Sequence, residues 1–327
     1  MTDALSEALG RAVAAVDAPG GGELGGTDRL QLVRVKNGLA TVMVDAGGLA
    51  AVDRAALEAR IRAGAAGVRG LVETRVAMTT DKAERRIIAV GSGKGGVGKS
   101  TLSANLAVAL ARLGKRVGLV DADIYGPSQP RIMGQSTKPE MHDGQIVPTP
   151  AHGVRMLSIG QLIEPGSAVA WRGPMTGSAL GNLMDGDWGD CELLIVDLPP
   201  GTGDVQMTLI QRWKPAGAVI VSTPQDLALI DATRAIDLFR KMGVAVIGLV
   251  ENMAGYQCPH CGESSDPFGS GGAEAAARVL GIPFLGRVPL TLAIRRSGDA
   301  GEPPAAGDGA EAEVFMGLAR RLLDQIE

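Results

Sequence analysis

The sequence predicts an α/β fold with a doubly wound, mostly parallel sheet, preceded by a small α+β domain. Two observations carry this. Five short apolar runs, at residues 87–90, 117–120, 193–196, 218–221 and 244–250, alternate with helical segments. Strands apolar on both faces belong to a parallel sheet covered by helices on each side. Directly after the first run, a glycine-rich stretch opens a helix. That arrangement puts a ligand-binding loop at the carboxyl end of a strand, where open α/β sheets bind their ligands.

The elements follow in order. Residues 1–80 form the small domain. Leu5, Leu9, Val13 and Val16 mark one face of a helix, and a glycine-rich loop spans 20–26. Alternating runs at 30–35 and 39–44 flank Lys36-Asn37-Gly38, and Asn-Gly between such runs is the strongest short hairpin signal. A helix over about 53–65 and a strand over 72–78 complete the domain, and the polar stretch 79–85 reads as a linker. The second domain is residues 81–327. Its connecting helix at 226–241 carries Leu229, Ala232, Ile236 and Phe239 on one stripe. Residues 298–309, rich in Gly, Pro and Ala, predict a surface loop before a final helix ending near Ile326.

Composition removes several classes of function. The 327 residues leave room for two cores. With 36 acidic and 32 basic residues the net charge is −4, and there is no basic tract, so nucleic acid is not an expected partner. There is no long apolar run, and the N-terminus is acidic where a signal peptide needs positive charge. No membrane association is therefore expected, and the cytoplasm is the expected location. Three cysteines, an odd number with two in C-x-x-C, argue against a disulfide framework and for metal or redox use.

The glycine-rich stretch is Gly91-Ser92-Gly93-Lys94-Gly95-Gly96-Val97-Gly98-Lys99-Ser100-Thr101, which contains G-x-x-x-x-G-K-S between strand and helix, the signature of a P-loop NTPase. Its glycines let the backbone amides of Gly93 through Thr101 turn toward a nucleotide β-phosphate at the helix N-terminus. Lys99 is placed to reach the β and γ oxygens, and Ser100 offers its hydroxyl to Mg²⁺. A dinucleotide-binding turn would not put a lysine on the phosphate. Lys94 is an additional cation, either a solvated loop charge or a functional one. With it the loop reads K-G-G-V-G-K-S, which resembles the deviant Walker A ATPases, a group that includes division-site and partition ATPases and the nitrogenase iron protein. The resemblance implies ATP as ligand and a homodimer in which Lys94 reaches the partner's nucleotide, as an arginine finger does elsewhere.

Carboxylates end the neighbouring strands. Asp121 and Asp123 close the second run, in Asp121-Ala122-Asp123-Ile124-Tyr125-Gly126-Pro127-Ser128, and Asp197 closes the third. Asp197 stands where a carboxylate holds Mg²⁺ through water, and Asp121 is expected near the same hydration shell. Asp123 is expected to orient the attacking water, with helix capping as the alternative. Lys94, Lys99 and Asp123 are thus the candidate catalytic residues, and Ser100, Asp121 and Asp197 the magnesium set. Residues 198–204, Leu-Pro-Pro-Gly-Thr-Gly-Asp, read as a switch loop whose glycine amides sense the γ-phosphate. Asn252, at the end of its own strand, is a candidate for the adenine edge.

Cys258-Pro259-His260-Cys261 lies in a polar loop after that strand. Two thiolates hold one edge of a metal site and do not complete it. Cys191 reads as a small buried apolar residue. A symmetric dimer supplies four thiolates for one shared ion or cluster. From spacing, a bridging iron–sulfur cluster, a bridging structural zinc and a redox pair all compete, the last disfavoured by the Gly/Ser/Pro sequence that follows.

The motifs together resemble the Mrp/ApbC-type iron–sulfur carriers. The matching pieces are residues 91–101, 121–128, Trp171-Arg172-Gly173-Pro174-Met175, 197–204, Ser222-Thr223-Pro224-Gln225-Asp226, 251–261 and Phe268-Gly269-Ser270-Gly271-Gly272, in order over about 86–298. The resemblance implies a bridging [4Fe-4S] cluster on Cys258 and Cys261 of each protomer, passed to apo iron–sulfur proteins, with weak Mg-dependent ATP hydrolysis. The first domain resembles, in degenerate form, the iron–sulfur-assembly domain that precedes such ATPases. It has no cysteine and carries Asp17-Ala18-Pro19-Gly20-Gly21-Gly22-Glu23 where that domain has a compact Asp-Pro-Glu turn. Three other readings are a spatial-positioning ATPase, a nitrogenase-like reductase and a nucleotide-binding dimer with structural zinc. The final helix, with only Arg320 and Arg321 as cations beside Glu313, Asp324 and Glu327, is a poor membrane anchor and speaks against the first. Both thiols in one loop speak against the second.

Overall fold

Where the chain alternates apolar and polar residues it forms half-buried strands, and where it is apolar throughout it forms strands buried on both faces. These two patterns separate the molecule into two units, Met1–Glu84 and Arg85–Glu327. The computed structural model describes residues 2–36, 38–47, 49, 51–79, 85–142, 144–163 and 174–326.

In the first unit, α1 (Thr2–Ala14) precedes the strands β1 (Leu30–Lys36) and β2 (Leu39–Asp45), then α2 (Ala51–Ala66) and β3 (Glu73–Thr79). β2 is central, antiparallel to β1 and parallel to β3. Ala40, Val42 and Val44, two residues apart along β2, face a core with Leu9 and Val13 of α1 and Leu57 and Ile61 of α2. Asn37 of the expected hairpin turn and residues 80–84 of the expected linker lie outside the described residues.

The second unit opens with β4 (Arg86–Ser92), α3 (Lys99–Arg112), β5 (Val117–Asp121), the one-turn α4 (Gln129–Ile132), the small hairpin β6 (Met141–His142) and β7 (Gln145–Ile146), then β8 (Thr149–Ala151) and β9 (Val154–Ser158). It continues with α5 (Pro174–Met184), β10 (Leu193–Asp197), α6 (Asp204–Trp213), β11 (Gly217–Ser222), α7 (Asp226–Lys241), β12 (Val246–Gln257), β13 (Ser264–Ser265), α8 (Gly272–Leu280), β14 (Phe284–Leu290), α9 (Leu292–Ala300) and α10 (Ala310–Ile326). The sheet runs β8-β9-β5-β10-β4-β11-β12, with β14 and the short β13 both pairing with β12. All its pairings are parallel except β8 with β9 and β13 with β12. The chain moves outward from β4 to β5 and β9, returns through β10, and then builds the other side through β11, β12 and β14. Its ligand crevice is therefore at the carboxyl ends of the central strands.

Both faces of the sheet are covered. Ile87 and Ala89 of β4 join the core beneath α5, α6 and α7, whereas Ile88 and Val90 join the core beneath α3 and α10. Each fully buried aliphatic side chain contributes about 1.5–3 kcal/mol relative to exposure, so this double coverage explains why the strands read as unbroken apolar runs. The fold differs from expectation near the end of the chain. The helix α9 continues to Ala300, so the surface loop expected from residue 298 begins at Gly301. α9 has no fully buried residue, and Gly298 inside its last turn reads as a loop signal in the sequence. Among the described residues no helix is long and apolar enough to cross a membrane.

Candidate functional site

The register of the central strands assembles a row of polar side chains. Asp197, the last residue of β10, pairs with Asp121, the last of β5, and Asp121 pairs with Ser158, the last of β9. In-register residues of neighbouring strands point to the same face, here the face packed by α3. Lys99, the first residue of α3, meets that row: its Nζ lies 2.5 Å from Asp197 Oδ1 and 3.7 Å from Asp123 Oδ2, and donates to Ser100 Oγ at 3.2 Å. One turn later, Ser103 Oγ donates to the same Asp197 oxygen at 2.9 Å.

Asp121 is wholly buried, with Ser158 Oγ donating to Oδ2 at 2.8 Å and the Gln129 amide N–H at 3.0 Å. Burial, and next the charge of Asp197, push its carboxyl up to about 7 against the opposing hydrogen bonds and Lys99. Burial also raises Asp123, against the pull of Lys99 and of hydrogen bonds from the Gly126 and Tyr125 amides. Those amides lie in the turn before α4, so Asp123 closes a turn and does not cap the helix.

Two glycines of the loop are required by close approach. A Cβ on Gly93 would stand 2.1 Å from the Asp231 carbonyl carbon of α7, and one on Gly98, which has φ +85°, would stand 2.0 Å from Asn252 Nδ2. Asn252 Nδ2 donates to Val97 O at 2.7 Å, so this side chain holds the back of the phosphate loop. The expected switch loop is organised differently from the reading above. The Gly201 amide donates to Ser92 O and the Gly203 amide to Gln206 Oε1, while Gln206 Nε2 donates to Pro199 O and Gly201 O. Both glycine amides are thus bonded within the protein. Among the described residues no carboxylate pairs with Lys94, which is half-buried. Trp171, Arg172 and Gly173 lie outside the described residues.

Beyond Asn252 the strand β12 continues past Met253, in the left-handed region at φ 59°, to Gln257. Cys258 follows immediately. The pairs Tyr256 with Ser265 and Gln257 with Ser264 make a hairpin whose tip is the C-x-x-C. The tip is closed by Cys258 N–H to Glu263 O and Gly262 N–H to Cys258 O, both 2.9 Å. The amides of Cys261 and His260 point at the Cys258 sulfur and, with the Cys261 thiol, hold its pKa below the ordinary thiol value. Cys258 is half-buried and Cys261 exposed. Among the described residues no three His, Cys, Asp or Glu side chains are grouped to hold a metal. Cys191 is buried in the apolar core ahead of β10, at the opposite end of the sheet, and burial raises its thiol.

Sequence reading missed Ser103, Gln129, Ser158 and Gln206. The available signal was a polar residue terminating or immediately following an apolar strand, which is where Ser158 stands. For Gln129 no local signal exists, because its burial follows from packing alone.

Magnesium fits the donors present. Ser100 Oγ and the carboxylates of Asp197 and Asp121 are hard oxygens of the kind that ion selects. A buried side-chain oxygen beside them, Gln129 Oε1, has no hydrogen-bond partner, as expected where a hydrated ion belongs.

The family model of the NUBPL iron-transfer P-loop NTPases matches residues 83–323. The iron-sulfur cluster carrier protein of Pseudomonas fragi is 49% identical over 228 residues, which cover 68% of this chain and 79% of that protein. The mitochondrial iron-sulfur protein required for NADH dehydrogenase of Arabidopsis thaliana is 50% identical over 242 residues, covering 72% and 77% respectively. Among solved structures, the nucleotide-binding protein of Archaeoglobus fulgidus in complex with ADP superposes with a TM-score of 0.60 at 39% identity, over 68% of this chain and 89% of that one. Since the matched span takes in every strand from β4 to β14, together with the phosphate loop and the cysteine hairpin, the chain belongs to the NUBPL iron-transfer P-loop NTPase family.

Proposed function

We propose that this protein is a homodimeric, MgATP-dependent iron–sulfur cluster carrier of the cytoplasm that hands its cluster to apo-proteins. The observation that carries this reading is the pair Cys258 and Cys261 at the tip of a hairpin on the same strand that braces the phosphate loop through Asn252. Two thiolates in one chain are half of a cluster site, and a two-fold axis supplies the other half. The cargo in this reading is a [4Fe-4S] cluster bridging two protomers. The names borne by the relatives from Pseudomonas fragi and Arabidopsis thaliana support iron–sulfur chemistry.

Each residue then has a defined task. Lys99, drawn from Asp197 by nucleotide phosphate, binds the β and γ oxygens, and the amides of residues 93–101 complete the cradle. Ser100, Asp197 and Asp121 hold Mg²⁺, which supplies neutralising charge to the phosphates. Asp123 orients the attacking water, Lys94 of each protomer reaches the other's nucleotide, and Asn252 turns its remaining amide oxygen to the adenine edge. Hydrolysis is weak and couples dimer geometry to loading or release of cargo.

The cysteine knuckle also suits a structural zinc, because the N–H groups that stabilise the Cys258 thiolate serve either metal. Iron, acid-labile sulfide and zinc per dimer, measured after anaerobic reconstitution with Cys258→Ala as control, decide between them. Matched iron and sulfide lost in the variant support the carrier. Stoichiometric zinc that iron and sulfide do not displace refutes it.

A further inference from the structure

Gln129 is the first residue of α4 and is fully buried. Its Nε2 donates to Ser100 O and to Asp197 Oδ2, each at 2.9 Å, and its backbone N–H donates to Asp121 Oδ2. Both side-chain partners are acceptors only, so the amide cannot be turned over without facing oxygen to oxygen. The orientation of the carboxamide is thereby fixed, and Oε1 is left as the one buried side-chain nitrogen or oxygen without a hydrogen-bond partner among the described residues. Buried acceptors are nearly always paired, and an exception marks a bond made to water, an ion or a ligand. The groups that the Gln129 Nε2 and backbone N–H bind, Ser100 O and the carboxylates of Asp197 and Asp121, are acceptors and supply no donor to Oε1. A hydrated cation brings water hydrogens to such a place.

We infer that Gln129 is a positioning residue for the magnesium site: its Oε1 accepts a hydrogen bond from a water of the ion's hydration shell while its Nε2 holds Asp197 in the orientation that shell requires. This rests on the reading of the loop as a Mg–nucleotide site. It adds a residue that joins both strand-end carboxylates to the first turn of α3 through three hydrogen bonds of one side chain and one amide.

The test is calorimetric titration of ADP in excess Mg²⁺ and in EDTA, for the wild type and for Gln129→Met, which keeps most of the volume and removes both amide groups. Thermal unfolding in EDTA monitors the fold. We expect equal affinities in EDTA, and a gain from Mg²⁺ that is smaller in the variant by about tenfold, or about 1.4 kcal/mol. An equal gain in both proteins overturns the inference and leaves the nucleotide site standing. No gain in the wild type overturns both. Should Gln129→Met fail to fold, wild-type crystals grown with MgADP decide: a metal-bound water on Oε1 supports the assignment, and an Oε1 without one overturns it.

Discussion

Lys99 Nζ lies 2.5 Å from Asp197 Oδ1, a buried ion pair that joins the first turn of α3 to the end of β10. Asp197 is fully buried, and Lys99, Ser103 and Gln129 direct their donors at its carboxylate oxygens. Breaking a buried pair by removing one partner is costly because the other charge stays desolvated. Lys99→Met is expected to lose about 3 kcal/mol in urea unfolding, and adding Asp197→Asn to recover most of it. A loss below about 1 kcal/mol, the range of exposed pairs, would show that the pair is solvated. If Cys258 and Cys261 hold the cluster as proposed, Lys99→Met is also expected to abolish nucleotide binding and to leave cluster loading intact.

Asp121 makes a separate prediction through pH. Its carboxyl is raised from 3.8 to about 7 by burial and by Asp197, which pairs with it in register on the adjacent strand. Between those values the folded protein keeps a proton that the unfolded chain has released. The folded state therefore binds more protons, and stability falls as pH rises through this window and levels above it. Asp123, raised by burial, tilts the curve the same way. Asp121→Asn preserves an oxygen for Ser158 and Gln129 and cannot ionise. In EDTA without nucleotide, its melting temperature relative to wild type is expected to rise between about pH 5 and about pH 8. A constant difference would place the Asp121 pKa outside that range.

Both of these sites follow from strand register, and that defines how far the sequence could be read. The apolar runs at 87–90, 117–120 and 193–196 were visible as buried strands because helices cover both faces, and a carboxylate closing such a run was visible as a site residue. The pairing of Asp121 with Asp197 was not visible, since β10 enters between β4 and β5 only after a return of the chain. β8 is a three-residue edge strand with a proline at its centre, and β9 beside it is interrupted by the exposed Arg155, so neither shows the unbroken apolar run of the central strands. Gln129 and Gln206 resemble surface glutamines in sequence. Only the folded structure shows that they are buried and bound to backbone carbonyls and carboxylate.

The three thiols divide by environment. Cys258 and Cys261 are at an accessible hairpin tip and Cys191 is in the core. In chelated, reduced protein an aromatic disulfide reagent is expected to titrate the two hairpin thiols at once and Cys191 only in denaturant. The amides of His260 and Cys261 stabilise the Cys258 thiolate. The pH midpoint of its alkylation is therefore expected below the ordinary thiol value of 9.0. A midpoint at or above that value would mean that the knuckle hydrogen bonds do not form in solution.

Lys94 tests the dimer. The side chain has no carboxylate partner among the described residues and belongs to the loop that Lys99 closes. If it serves the partner's nucleotide, each hydrolytic centre combines Lys99 and Asp123 of one protomer with Lys94 of the other. Lys94→Ala is then expected to bind nucleotide normally and to lose hydrolysis on the order of 10³-fold, as for loss of an arginine finger. Asp123→Ala is expected to be comparably inactive by losing the residue that orients water. Mixed in equal amounts and allowed to exchange, the two variants form heterodimers in which the Lys94→Ala protomer keeps its own Asp123 and receives Lys94 from its partner. One centre of that heterodimer is intact, so statistical mixing is expected to restore about a quarter of wild-type turnover. Restoration requires Lys94 to act across the interface, because a lysine acting within its own protomer leaves both centres of every mixed dimer defective. A mixture as inactive as its components, with exchange verified by mass, would return Lys94 to its own protomer's loop.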